Sequence, residues 1–193
     1  MDPWLRPIQL EGELVKLVPL QKSQKVDLVF AASDGKLWEL WYTTVPSPKT
    51  MDSYLDTALA EQALGKALPF AVINKKTNTI VGSTRYLNVD SKNKRVEIGA
   101  TWYAKKVQRT GINTECKYLL LKYAFENLNC IAVEFRTHFH NHASRNAILR
   151  LGAKQDGILR NHRVDEQGNM RDTVVYSILD SEWKTVKTAL EFK

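Results

Sequence analysis

The sequence predicts a mixed α/β fold of the α+β kind, with one sheet of about seven strands, largely antiparallel, covered by helices. Three observations predict it. Segments 68–74, 79–88 and 95–103 are rich in β-branched and aromatic residues that alternate at period two, and short polar turns join them. Segment 114–127 has a helical period and lies between two strand-like segments, which demands one parallel pair. The expected order is strand, helix, helix, three strands, helix, strand, helix, two strands. That is not the strict alternation of a doubly wound repeat.

Each element has a local reason. Residues 14–17 alternate weakly and open the sheet. Residues 21–32 read as a helix with Val26, Leu28, Val29 and Phe30 available to a core. Leu37, Trp38, Leu40, Trp41 and Tyr42 make a short aromatic element that Pro46 and Pro48 break. Thr50 or Asp52 caps a helix running to about Leu64, with Gly65 as its stop. After the three-strand meander, Cys116, Leu119, Leu120 and Tyr123 share one face of the 114–127 helix. In strand 130–138, Ile131, Val133 and Phe135 lie on one side and Glu134, Arg136 and His138 on the other. A helix over 141–151 ends at Gly152. A closing hairpin joins 154–164 to 170–178 through a turn at 165–169, and 181–190 forms a last helix.

The chain of 193 residues fits one domain with a sizeable core, with 44% apolar and 25% charged residues. No apolar run is long enough to span a bilayer, and the N-terminus lacks the pattern of a secretory signal. Cys116 and Cys130 form no disulfide framework, so they read as buried apolar fillers in a reducing cytoplasm. The formal charge of +7 favours an acidic partner. The basic residues are scattered, which disfavours nucleic acid. His138, His140 and His142 alternate, yet no third ligand pattern accompanies them, so no metal is expected.

The most informative segment runs from Val107 to Glu115, a glycine-bearing turn between a strand and a helix. Such a turn aims unpaired backbone N–H groups and the positive helix end at one point, which suits a phosphate or pyrophosphate. Gln108-Arg109-Thr110-Gly111-Ile112-Asn113-Thr114-Glu115 resembles the acetyl-CoA pyrophosphate loop of the GNAT acetyltransferases. Glu97-Ile98-Gly99 upstream, with Asn141-His142-Ala143-Ser144 and Leu151-Gly152-Ala153 downstream, is similar to the RimJ/RimL-like branch. The resemblance runs from about Leu10 to Trp183.

The resemblance implies a single-domain GNAT fold, its sheet splayed at two parallel strands, and direct acetyl transfer from acetyl-CoA to a primary amine. The acceptor is a protein N-terminus or a small metabolite. Gln108, Arg109, Thr110, Gly111, Ile112, Asn113 and Thr114 would hold the pyrophosphate, with Gly111 allowing close backbone approach. The pantetheine would lie between strands 95–103 and 130–138, a backbone N–H near Trp102 and Tyr103 would face the thioester oxygen, and Asn141 would bond the arm. Ser144 would donate to the sulfur, and Glu97 would act as a weak base. An α-amine, about 10% neutral at pH 7, needs no stronger one. Trp38, Trp41 and Tyr42 fall where the family walls its acceptor site, with Tyr86, Trp102 and His162 as weaker candidates.

Two residues depart from the family pattern: Asn113 stands where Gly or Ala is common, and Ile148 where many members carry a tyrosine acid. They keep open an acyl-CoA-binding module without turnover; a basic nucleic-acid binder is the third reading. Bland alternatives are a Glu97 ion pair with Arg85 or Arg95, and a Ser144 that bonds its own helix start. The final hairpin also offers a surface for a homodimer. A wide acidic mouth beside Glu97 would suit a peptide, and a closed pocket a metabolite.

Overall fold

A computed structural model describes residues 4–165 and 167–192. Glu166, in the turn expected over 165–169, lies outside them, as do the first three residues on which the secretory-signal reading partly falls. The strands are β1 (Leu10–Glu11), β2 (Val15–Pro19), β3 (Leu68–Asn74), β4 (Thr79–Asp90), β5 (Arg95–Tyr103), β6 (Ala132–His138), β7 (Lys154–Val164) and β8 (Met170–Leu179). The helices are α1 (Lys25–Ser33), α2 (Met51–Ala63), α3 (Ile112–Glu126), α4 (His142–Arg150) and α5 (Asp180–Glu191). Among the described residues no helix is long and apolar enough to cross a membrane.

The strands form one eight-stranded sheet in the order β1-β2-β3-β4-β5-β6-β8-β7. The extra strand is β1, two residues long and too short to leave a period in the sequence. Among the described residues only β5 and β6 are parallel, and their pairing covers three residues, from Arg95 opposite Ala132 to Glu97 opposite Glu134. Beyond that point the two strands keep only their outer partners, β4 and β8.

Two irregularities bend the sheet beside this opening. An extra residue on β4 between Leu87 and Asp90 sets Asn88 at a φ of 47°, and an extra residue on β5 near Thr101 sets Ala100 at 46°. Such bulges increase twist and re-aim side chains.

The helices divide between the faces. From α2, Tyr54 donates its hydroxyl to Ser83 and Glu61 pairs with Arg85. On the other face Tyr86 donates to the Leu120 carbonyl of α3, and α5 packs on α3 through Trp183 stacked on Phe125. Helix α4 joins that face, where Arg145 donates to the Tyr176 hydroxyl.

Three expectations need correction. Val26 and Phe30 are 77% and 71% exposed, whereas Leu28, Ala31 and Ala32 are the buried face of α1. Lys22–Gln24 is a 3-10 turn, so the α-helical phase begins at Lys25, later than expected. Ile131, expected beside Val133 and Phe135, lies before the strand and is exposed. Both cysteines are buried and free, and burial pushes each thiol up to about 12.

Helix α3 is fastened to the first hairpin through Glu115, whose carboxylate accepts the N–H groups of Glu13, Leu14 and Val15, each at 2.8 Å. A Cβ on Gly12 would lie 2.5 Å from that carboxyl carbon, so the glycine leaves room for it. Removing the carboxylate strands three donors at once. Glu115→Ala is expected to lower stability by about 2 kcal/mol, read as a reduced urea midpoint with unchanged slope.

Candidate active site

The turn before α3 has the geometry of an anion cradle. Its first helical backbone bond runs from Glu115 N–H to Gly111 O at 3.0 Å, and Ile112 N–H turns to Thr110 Oγ1 at 3.3 Å. The N–H groups of Gly111, Asn113 and Thr114 precede that bond, and no side chain caps the helix. Arg109 has a φ of 61°, and a left-handed residue ahead of helical ones curls successive N–H groups toward one side.

Gly111 itself has an ordinary helical φ of −67°, so its lack of a side chain answers to packing. A Cβ there would come within 2.8 Å of Leu14 Cδ1. Asn113 is the second residue of α3. Gln108 and Thr110 direct their side chains inward, to Tyr103 O at 3.0 Å and Val107 O at 2.7 Å, and brace the turn.

Where β5 and β6 part, every second backbone group along their inner edges lacks a strand partner. Trp102 and Tyr103 lie on that stretch, but their side chains are buried elsewhere. The Trp102 indole donates to Tyr54 at 3.3 Å, and the Tyr103 ring packs beside the Cys116 thiol. Only their backbones can meet a ligand in the gap. At the far end of β6, Asn141 caps α4, its side-chain oxygen accepting Ser144 N–H at 3.0 Å. The Ser144 hydroxyl makes no hydrogen bond among the described residues, so the helix-start bond uses its backbone and leaves Oγ free. Ile148 is buried in the core and supplies no acid.

Glu97 sits at the last paired position, directly opposite Glu134. It pairs with neither Arg85 nor Arg95. The bulged Asn88 donates to its carboxylate at 2.7 Å, and Arg136 approaches to 3.6 Å while also holding Glu134 at 3.0 Å. Burial pushes the Glu97 carboxyl above the usual carboxylate range, and the Asn88 amide and Arg136 guanidinium only partly offset it. Glu134 stays below that range in spite of burial, because Arg95 and Arg136 bond it. A cavity of about 200 Å³ opens beside Glu97, lined also by Asn88, Asp90, Glu134 and Arg136.

Farther along the same face of β6 lies a cleft of about 840 Å³, walled by Trp38, Trp41, His138, Arg163 and Arg171. Trp41 is 64% exposed and meets His138 edge-on, with ring centroids 5.1 Å apart. Tyr42 supports Trp41 from the side. His138 accepts the His140 N–H through Nδ1 at 3.0 Å, and burial and then Arg171 hold it below its ordinary value. The mouth is of mixed charge, not acidic, since Glu39, Asp165 and Asp172 face Arg160, Arg163 and Arg171.

Four candidates are not among the residues that line this cleft: Tyr42, which meets its wall residue Trp41, Trp102, which turns to Tyr54, Tyr86 and His162. Tyr86 is fully buried, bonded to Leu120, and cannot touch an acceptor. His162 is not among the lining residues and instead bonds Thr173 at 3.1 Å. Among the described residues no cluster of three or more His, Cys, Asp or Glu is placed to hold a metal.

The sequence reading also missed Lys117. It is buried in α3, and its Nζ donates to Thr101 Oγ1 at 2.6 Å, beside the β5 bulge, and to Thr84 Oγ1 at 3.4 Å. Only its presence in an aliphatic run could have raised the question.

Comparison with known proteins agrees with this geometry. Residues 15–154 match the model of the acetyltransferase (GNAT) domain, and the chain belongs to that family. It is 27% identical over 119 residues to the uncharacterized N-acetyltransferase p20 of Bacillus licheniformis, covering 62% of this chain and 66% of that protein. A GCN5-related N-acetyltransferase from Brucella melitensis superposes with a TM-score of 0.88 at 30% identity, over 98% of this chain and 86% of that one. The fold is also that of Mycobacterium smegmatis RimJ in complex with CoA-disulfide, with a TM-score of 0.81 at 21% identity over 100% and 97% of the two chains. The protein is therefore an acyltransferase of the acetyl-CoA-dependent class.

Burial lowers Lys117 from 10.5 to about 8. Between those values the unfolded chain holds a proton that the folded chain has released, so stability rises with pH across that window and is flat below it. The rise is on the order of 3 kcal/mol. Lys117→Met is expected to abolish it in urea melts run from pH 7 to 10.5.

Proposed function

We propose that the protein transfers the acetyl group of acetyl-CoA directly to a primary amine, within one catalytic domain built on the whole sheet. The observation that carries this reading is the parting of β5 and β6 immediately after Glu97 and Glu134, with the uncapped start of α3 at the open end. The diphosphate would rest on the N–H groups of residues 109–114, with the pantetheine completing the unpaired edges of β5 and β6 as a strand would. These sites suit the cofactor because its polar groups match backbone groups, among them the N–H groups of Gly111, Asn113 and Thr114, that have no partner among the described residues.

The opening also joins the two faces of the sheet. The cradle and Ser144 lie toward the α3 and α4 side, whereas Glu97, Trp38, Trp41 and His138 lie toward the α1 and α2 side. A thioester held in the gap is reached from the acceptor cleft without crossing the cofactor. Acetyl-CoA supplies an activated acyl group. A backbone N–H near Thr101–Tyr103 meets the developing oxyanion. Glu97 accepts the proton of the attacking amine, directly or through a water in the adjoining cavity. Its raised pKa places it nearer that task than an ordinary carboxylate. Ser144 Oγ–H donates to the departing sulfur. Asn141 uses its carbonyl as a cap and keeps its amide N–H for the arm.

Glu97→Gln is expected to lower kcat about 100-fold or more, with little change in acetyl-CoA affinity, in an assay of released thiol over a panel of α-amines. Wild-type kcat/KM should fall as pH drops through the raised Glu97 value, because the base is then protonated. Ser144→Ala should cost about 10-fold, the loss of one hydrogen bond to the leaving group. Full turnover in both variants would remove these assignments, and cofactor binding with no amine-dependent thiol would leave only an acyl-CoA-binding module.

A further inference from the structure

The hairpin end of the large cleft sets two like charges against each other. Arg163 on β7 and Arg171 on β8 stand directly opposite each other in the antiparallel register. Like charges at such positions are unfavourable. Both line the cleft. No carboxylate among the described residues lies within ion-pair distance of either one, although neighbouring guanidinium and carboxylate groups are paired. Arg160 is held by Asp172 at 2.6 Å, and Asp165 accepts the N–H groups of Gln167 and Asn169 at 2.9 and 2.8 Å. The Nε of Arg171 is buried with no hydrogen-bond partner among the described residues. A buried, unanswered guanidinium N–H is costly unless something arrives to accept it.

We infer that Arg163 and Arg171 form an anion subsite of the acceptor cleft, taking a carboxylate or phosphate carried by the same molecule that presents the amine. This rests on the transferase reading of that cleft and adds the substrate class. A planar carboxylate or a phosphate matches the fork of a guanidinium and can bridge two of them. The anion removes the cross-strand repulsion and satisfies the Arg171 Nε. The same face of the sheet carries Glu97, and Arg163 is close enough to bias its titration. An acceptor anchored at the arginines therefore extends past Trp41 and His138 toward Glu97, with its amine leading. Opposite charges at the two ends, basic at the hairpin and carboxylate at Glu97, fix which end enters.

The test uses the full-length protein and matched acceptors. One pair is the peptide amides Ser-Asp-Asp-Ala and Ser-Asn-Asn-Ala, and the other is phosphoethanolamine and ethanolamine. Thiol release gives kcat/KM, and calorimetry in the presence of CoA gives affinity without requiring turnover. The anionic member of at least one pair should be preferred about 10-fold or more, through KM. Arg163→Gln and Arg171→Gln should bring that ratio toward one, and Arg171→Lys, which keeps charge but loses the fork, should retain part of it. Which pair shows the preference distinguishes an acidic peptide from a phosphorylated amine. Equal kcat/KM and equal affinity within both pairs overturns the subsite. Arginine-dependent binding of the anionic member without transfer of any amine would uphold the subsite and sink the transferase reading instead.

Discussion

The structure depends on a hydrogen-bond ladder that stops early. Strands β5 and β6 pair over three residues and then separate, although both continue for several residues more. A sheet interior rarely leaves main-chain groups without partners, since each costs about as much as a lost hydrogen bond. The separation is held open from outside: β8 pairs with the whole outer edge of β6, β4 pairs with that of β5 on either side of two bulges, and the bulges at Asn88 and Ala100 bend the strands at that level. The gap is therefore part of the fold's own geometry. It makes an extended ligand with amide groups a natural third partner for the two strands.

The other unresolved terms gather around that gap. Two carboxylates face each other at the last rung, and one of them is driven above its ordinary range by burial. A lysine with no carboxylate at ion-pair distance among the described residues is buried beneath the next residues of β5 and bonded to two threonines. Two arginines oppose each other across the neighbouring hairpin. Each would be replaced at no loss if packing were the only demand. Sequences agree with their folds at most positions and depart from them where chemistry is done. Here the departures share one region of the sheet, around the parting of β5 and β6, with Lys117 on the α3 face and the others on the opposite one.

Much of this was legible in the sequence. Strands β3, β5 and β7 begin and end at the expected residues, because β-branched alternation and polar turns define them locally. The 3.6-residue period gave α3, and the glycine turn before it marked where the helix start is left without a side-chain cap. What was hidden depended on partners distant in the chain. The buried face of α1 was misassigned because Val26 and Phe30 are as apolar as Leu28, and only the position of β4 decides between them. Tyr86 was read as a possible acceptor contact since its partner, a carbonyl of α3, is 34 residues away. Glu115 gave no sign that it fastens the first hairpin, nor Arg109 that it, and not Gly111, adopts the left-handed backbone. The opposition of Arg163 and Arg171 needed a register that includes a bulge, which no local pattern specifies.

The crystal structure of the protein with acetyl-CoA tests the central claim most directly. The diphosphate oxygens should lie within hydrogen-bond distance of main-chain N–H groups between Arg109 and Thr114. The pantetheine amides should pair with the inner edges of β5 and β6, and the sulfur should stand between Glu97 and Ser144. A cofactor bound elsewhere, or a gap that has zipped shut by further pairing of β5 with β6, would contradict it.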